Sequence, residues 1–131
     1  MISNLEIELR KVVEGDIRTD PATCCAYSVD ASIYEVTPLL VVSPRGKNDI
    51  KNILSIAAGN NIPVIARGAG TGITGGCLGT GVILDLSIHM NNVLEINIEQ
   101  EYVICQPGVV QDKLNSLLHP YGYRLGPDTS T

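Results

Sequence analysis

The chain contains no phenylalanine and no tryptophan, and its five tyrosines bring aromatics to only 4% of 131 residues. An aromatic-centred core is therefore excluded. The 44% hydrophobic share falls to Ile, Leu, Val and Ala, which suit strands buried on both faces. Positive charge is also scarce, with nine Lys and Arg against fourteen Asp and Glu and a net charge of −5. The basic residues are scattered, so neither nucleic acid nor an anionic membrane surface is favoured as a partner. No apolar run approaches the roughly 18 residues of a membrane span. The start, Met-Ile-Ser-Asn-Leu-Glu, lacks the charged and apolar regions of a signal peptide, so a cytoplasmic location is expected. Cys24, Cys25, Cys77 and Cys105 form no CxxC pair and the two histidines stand far apart. Metal ligands are not expected, and the thiols should be free. By length the chain suits a single domain.

Glycine is abundant and unevenly placed. Seven of the thirteen glycines (68, 70, 72, 75, 76, 79 and 81) lie between two apolar stretches, Pro63–Arg67 and Val82–Leu86. Residues without a Cβ leave successive N–H groups open, and such a row forms a concave anion nest suited to a diphosphate. Gly70-Thr71-Gly72-Ile73-Thr74-Gly75 satisfies GxGxxG, but a dinucleotide turn must open directly into a helix, which Gly76, Gly79 and Gly81 forbid. A Walker loop is excluded because no lysine occurs between Lys51 and Lys113. The plain alternative is a long surface loop whose glycines only relieve strain.

Ser3 and Glu6 make a capping-box start, and Leu5, Leu9, Val12 and Val13 share a face, predicting a helix from about Asn4 to Val13. Gly15 ends it. Thr19 to Ser32, with Asp20-Pro21 inside, follows neither period and reads as a long ordered loop. Leu39 to Ser43 reads as a buried strand. Ile50, Ile53, Leu54 and Ala57 predict an amphipathic helix from Lys47 to Gly59, closed by Asn60-Asn61. With the strand Pro63–Arg67 this makes a right-handed βαβ unit, and ligands bind at the carboxyl ends of such strands, where the glycine loop lies. Arg67 has two readings, a phosphate ligand or a structural partner of a buried carboxylate such as Asp85. Val82–Leu86 is a third strand, and the polar turn Ser87–Asn92 carries His89, read as a surface or capping histidine. Val93–Ile98 and Tyr102–Gln106 alternate around an acidic turn and predict a hairpin. Val110, Leu114, Leu117 and Leu118 form the stripe of a further core-facing helix, stopped by Pro120 and Gly122. Tyr123 to Leu125 is read as extended. Cys77, inside the glycine loop, reads as a small residue filling space beside a ligand.

Pro63 to Gly76 resembles the P-x-x-x-R-G-A-G-T-G/S-x-x-G loop of the vanillyl-alcohol-oxidase (PCMH-type) FAD-binding family, in its glycolate, D-lactate and D-2-hydroxyglutarate dehydrogenase branch. The likeness extends to Tyr27–Ser32 (Y-x-x-D-A-S), to Val82–Ile98 (V-x-L-D-L-S…N-x-x-L-E-I), to the P-G-V turn at Pro107–Val109, and to Gly126–Thr131, similar to the start of a second flavin segment. The resemblance implies an α+β PCMH-type fold in which an N-terminal βαβ subdomain is followed by the start of a second subdomain. It divides the chain into an N-terminal helix and ordered loop, 1–37, and an FAD-binding portion, 38–131, that continues beyond Thr131. It implies an FAD held non-covalently, since Thr71 stands where covalent relatives carry histidine. The implied contacts are Arg67, Gly68, Ala69, Gly70, Thr71, Gly72, Ile73, Thr74, Gly75 and Gly76 around the diphosphate, with Gly108, Pro127, Asp128, Thr129 and Ser130 from the later segments. A small 2-hydroxyacid substrate, its base, its carboxylate-binding arginine and an electron acceptor are expected to engage residues beyond this chain, which holds no catalytic residue of its own. By resemblance Tyr27–Ser32 lies near the flavin or the domain seam; otherwise it is a packed loop tied by Asp30. Two other functional readings stand beside this one, a non-catalytic module of the same fold and a phosphate- or nucleotide-binding protein unrelated to flavin.

Overall fold

A computed structural model of the chain describes residues 2–129. Helix α1 (Ile2–Arg10) precedes a short strand β1 (Asp16–Arg18) and helix α2 (Pro21–Ala26). Strand β2 (Leu40–Ser43), helix α3 (Lys47–Gly59), strand β3 (Val64–Arg67) and strand β4 (Val82–Asp85) follow. A hairpin of β5 (Val93–Asn97) and β6 (Tyr102–Cys105) leads to helix α4 (Gln111–Leu118) and a 3-10 turn, His119–Tyr121.

Four strands form one sheet in the order β1-β2-β4-β3, with β2 and β3 both parallel to β4 and β1 antiparallel to β2. The unit β2-α3-β3 thus leaves a gap of one strand, which β4 fills. Strand side chains alternate between faces. On one face Leu40, Val42, Val82 and Leu84 join Leu5, Leu9, Ile17 and Ile53 in the main core, so the first residues of the chain and the later strands bury one another. The register Val41↔Ile83↔Ile65 marks the other face, where α2 packs on β2. Helix α3 has the predicted bounds, but its buried side is Ile53 and Ala57 with Ile50 and Ile56 half-covered, and Leu54 faces solvent. Asn61 takes the left-handed conformation expected at its end, φ 53°. The carboxylate of Asp49, buried in the first turn of α3, accepts from the N–H groups of Glu14 at 2.9 Å, Gly15 at 3.0 Å and Arg45 at 2.8 Å, fastening the turn after α1 to the helix.

Three local expectations need correction. Helix α1 stops at Arg10, and Val12 and Val13 continue only as a turn on Leu9 O; Ser3 lies inside the helix, and its side chain is outside the described residues. The stretch Thr19–Ser32 is not all loop. Asp20 caps α2 by accepting from Thr23 N at 2.8 Å, and Pro21 occupies the first helical turn, where a missing N–H costs nothing. The Asp-Pro pair read as a break is the helix start. In α4 only Leu114 and Leu118 are buried, while Val110 and Leu117 are exposed.

Candidate functional site: the glycine loop and its floor

Strand β3 ends at Arg67, and the chain returns to the amino end of the parallel strand β4 at Val82. Parallel neighbours need a crossover of a dozen or more residues, normally a helix. Here residues 68–81 make that crossover without one. Its glycines divide by cause. Gly79 and Gly81 serve the fold, because a Cβ at Gly79 would meet Ile65 Cδ1 at 2.7 Å and one at Gly81 would fall on Pro63 O. Gly70 and Gly75 take φ of 70° and 73°, the left-handed region costly for other residues. Gly68 and Gly72 have no such internal reason, since a Cβ there meets nothing within 4 Å. Among the described residues, the main-chain N–H groups from Ala69 to Gly76 donate to no protein group. No carboxylate occurs between Gly68 and Gly76. An exposed, uncharged row of free N–H donors with space above it has the donor set a diphosphate requires.

The floor of this loop is the segment Tyr27–Tyr34. Ala31 N donates to Gly70 O at 3.0 Å, and a Cβ on Gly75 would meet the Tyr34 ring at 2.9 Å. Asp30 accepts from Ser32 N at 2.8 Å and from the Cys77 thiol at 3.4 Å. Bonding from Ser32 holds the Asp30 carboxyl below the usual carboxylate range. Burial, then the bond to Asp30, pushes the Cys77 thiol up, so it stays protonated and a poor nucleophile. The packed-loop reading of Asp30 therefore has a definite form, and its loop is also the underside of the glycine loop.

Arg67 and Asp85 stand side by side in the β3–β4 register, yet Tyr27 intervenes. The Tyr27 hydroxyl donates to Asp85 Oδ2 at 2.5 Å, while Ser87 donates to Oδ1 from its N–H at 2.8 Å and its hydroxyl at 2.7 Å. The Arg67 guanidinium lies over the Tyr27 ring, 5.0 Å from its centroid, and donates to Tyr27 O at 3.3 Å and Val29 O at 2.8 Å. The direct partnership of Arg67 with Asp85, one of the two readings, is replaced by this relay through Tyr27. Burial and the bond to Asp85 push the Tyr27 hydroxyl up to about 12. Tyr27 and Asp85 are 58 positions apart; the Y-x-x-D-A-S and V-x-L-D-L-S motifs marked each end separately, and nothing in the sequence joined the two. Tyr34 carried no signal at all.

The remaining residues named by the sequence lie on other elements. Gly108 N donates to Met90 O at 2.8 Å, and a Cβ there would fall on Leu86 O, so backbone packing alone demands glycine. Gln111, at the start of α4, donates to Leu125 O at 3.0 Å and Pro127 O at 2.6 Å. Asp128 pairs with Arg124 at 2.6 Å, and the Thr129 hydroxyl is 3.5 Å from Gln111 Oε1. Ser130 lies outside the described residues. His89 Nε2 meets Asp16 Oδ2 at 2.7 Å, a surface clasp between β1 and the turn after β4. No helix among the described residues is long and apolar enough to cross a membrane.

Comparison with known proteins agrees with this geometry. The family model described as FAD binding domain matches residues 38–131. D-2-hydroxyglutarate dehydrogenase of Pantoea ananatis is 42% identical over 120 residues, covering 89% of this chain and 12% of that protein. Glycolate oxidase subunit GlcD of Bacillus subtilis is 36% identical over 107 residues, 80% of this chain and 23% of that one. The chain thus spans a small part of the curated relatives it matches. Among solved structures, alkyldihydroxyacetonephosphate synthase superposes with a TM-score of 0.84 at 22% identity, over 97% of this chain and 26% of the other, a likeness of fold. The parallel sheet, the glycine crossover and the matching family model together show that the chain belongs to the FAD binding domain family, with the PCMH-type α+β fold.

Proposed function

We propose that this chain supplies the diphosphate-holding part of an FAD-dependent dehydrogenase that oxidises a small 2-hydroxyacid. The observation that carries the reading is the row of unengaged N–H groups from Ala69 to Gly76 at the carboxyl end of β3, with open space over Gly68 and Gly72. Main-chain donors in a row stabilise phosphate oxygens without a lysine, and Gly68 to Gly76 hold the diphosphate in this reading. Gly108 sets the path of the chain after β6, and Pro127 to Thr129, held beside α4 by Gln111, approach the cofactor from the second segment. The substrate class follows the relatives named as D-2-hydroxyglutarate dehydrogenase and glycolate oxidase subunit.

Bound FAD supplies a two-electron acceptor for the alcohol carbon of the hydroxyacid. The chain's own residues orient and shield. The loop fixes the diphosphate, and the bonds from Tyr27 and Ser87 keep Asp85 occupied beneath it. No side chain between Gly68 and Gly76 is a base, so the loop itself takes no proton from the hydroxyacid; in this reading proton removal, substrate binding and transfer to the electron acceptor fall to other parts of the enzyme. The test is titration of the purified chain with FAD, riboflavin and ADP, followed by flavin fluorescence and calorimetry. Saturable FAD binding displaced by ADP, with riboflavin weaker, is expected from a diphosphate cradle. Binding of ADP without FAD would favour a nucleotide module instead, and binding of neither would overturn the reading.

A further inference from the structure

We propose that Arg67 is a positioning residue of the flavin loop, holding Gly70 and the segment beneath it in shape through Tyr27 and Val29, and is not itself a phosphate ligand. The inference rests on the flavin reading above. Its basis is where the guanidinium goes. Two of its N–H groups are taken by the carbonyls of Tyr27 and Val29, its face lies on the Tyr27 ring, and its charge is close enough to Asp30 to help hold that carboxyl ionised. Two arms and one face of the fork are therefore engaged within the protein. Directly above it sits Gly70, where a Cβ would meet Nη2 at 2.7 Å, so the planar guanidinium forms the surface on which the left-handed residue rests. The Gly70 carbonyl then accepts from Ala31 N, closing a ring from β3 through the 27–31 segment back to the loop. Tyr27 anchors this ring to β4 through Asp85.

A fork that grips two carbonyls while stacking on a ring is something only arginine provides; a lysine would keep the charge and lose the shape. A phosphate ligand behaves in the opposite way, because a lysine preserves much of the Coulomb attraction and salt screens it.

The experiment compares wild type with Arg67→Lys, Arg67→Met and Tyr27→Phe, each checked for folding by circular dichroism. Two quantities are measured on each: the salt dependence of the FAD dissociation constant, and amide hydrogen exchange at Ala31, whose N–H is bonded to Gly70 O. Arg67→Lys and Arg67→Met should both weaken FAD by about tenfold or more, the loss of hydrogen bonds from a charged group, with salt slopes parallel to wild type. Both should speed exchange at Ala31 without FAD. Tyr27→Phe keeps the ring under the guanidinium and should stay closer to wild type in both readouts. Recovery of affinity by lysine alone, a flattened salt slope in Arg67→Met, or unchanged exchange at Ala31 would each overturn the proposal. If wild type takes up no FAD, the flavin reading fails separately, and exchange at Ala31 still decides the role of Arg67. Should Arg67→Met fail to fold, Arg67→Lys and Tyr27→Leu carry the same comparison.

Discussion

Gly70 joins a left-handed backbone and a close side-chain neighbour in one residue. Its φ of 70° and the guanidinium 2.7 Å from a hypothetical Cβ leave a side chain neither a backbone conformation nor room. Gly70→Val is expected to lose FAD and to strain the loop by about 1–3 kcal/mol, while the helical circular dichroism persists because the loop lies outside the main core. Full flavin uptake by that variant would count against the cradle. Tyr27 offers a measurement in pH. Its hydroxyl is pushed up to about 12 by burial and by Asp85, from 10.0 when unfolded. A phenol with a raised folded value supports the fold fully below pH 10.0 and loses that contribution as pH rises through about 12, since the native state then holds the proton longer. Urea stability should fall across that window, and Tyr27→Phe should flatten the fall. The difference in tyrosinate absorbance between wild type and Tyr27→Phe isolates Tyr27 from Tyr102 and Tyr123, also raised but through exposed bonds to Glu95 and Glu101. At this scale the glycines were legible as a group but not by cause. Nothing local distinguishes Gly79 and Gly81, which make way for Ile65 and Pro63, from Gly68 and Gly72, which make way for nothing in the chain.

Elements were legible in proportion to their length and periodicity. The 13 residues of α3 give three turns of apolar repeat, a glycine before them and asparagines after, so its bounds could be read directly. Strand β1 has three residues and one inward side chain, Ile17, too little to show alternation. Helix α2 has six residues and no apolar stripe; it exists because Asp20 caps it and β2 receives it. Strand order was hidden as well, because local pattern identifies β2, β3 and β4 without saying that the last enters between the others. Between elements, Asp49 is the joint most exposed to test. Asp49→Ala would strip partners from the N–H groups of Glu14, Gly15 and Arg45. A loss on the order of 3 kcal/mol is expected in urea denaturation, since each N–H left without a partner costs about 1–3 kcal/mol where water cannot reach it. Asp49→Asn retains acceptance through one oxygen and should lose less.

For the molecule as a whole, the flavin should be held without a covalent bond. Thr71 has no base beside it, and the Cys77 thiol is kept protonated by burial and by Asp30. Acid precipitation of the flavin-loaded protein should leave yellow colour in the supernatant; a coloured peptide containing Thr71 or Cys77 would refute this. The chain by itself is expected to reduce no dye with glycolate or D-lactate, and turnover that follows the purified chain through chromatography would show the prediction wrong. The insertion of β4 has a further consequence in the order of synthesis. β2, α3 and β3 emerge first, yet β2 and β3 share no ladder, so on completion of Arg67 each presents an unpaired parallel edge. Those edges stay open while the ribosome makes the glycine crossover and close only when Val82 to Asp85 arrive. Open apolar edges recruit other strands. A chain broken within the crossover would therefore leave the facing edges of β2 and β3 open, whereas one extended a few residues past Asp85 can fill the gap between them with β4.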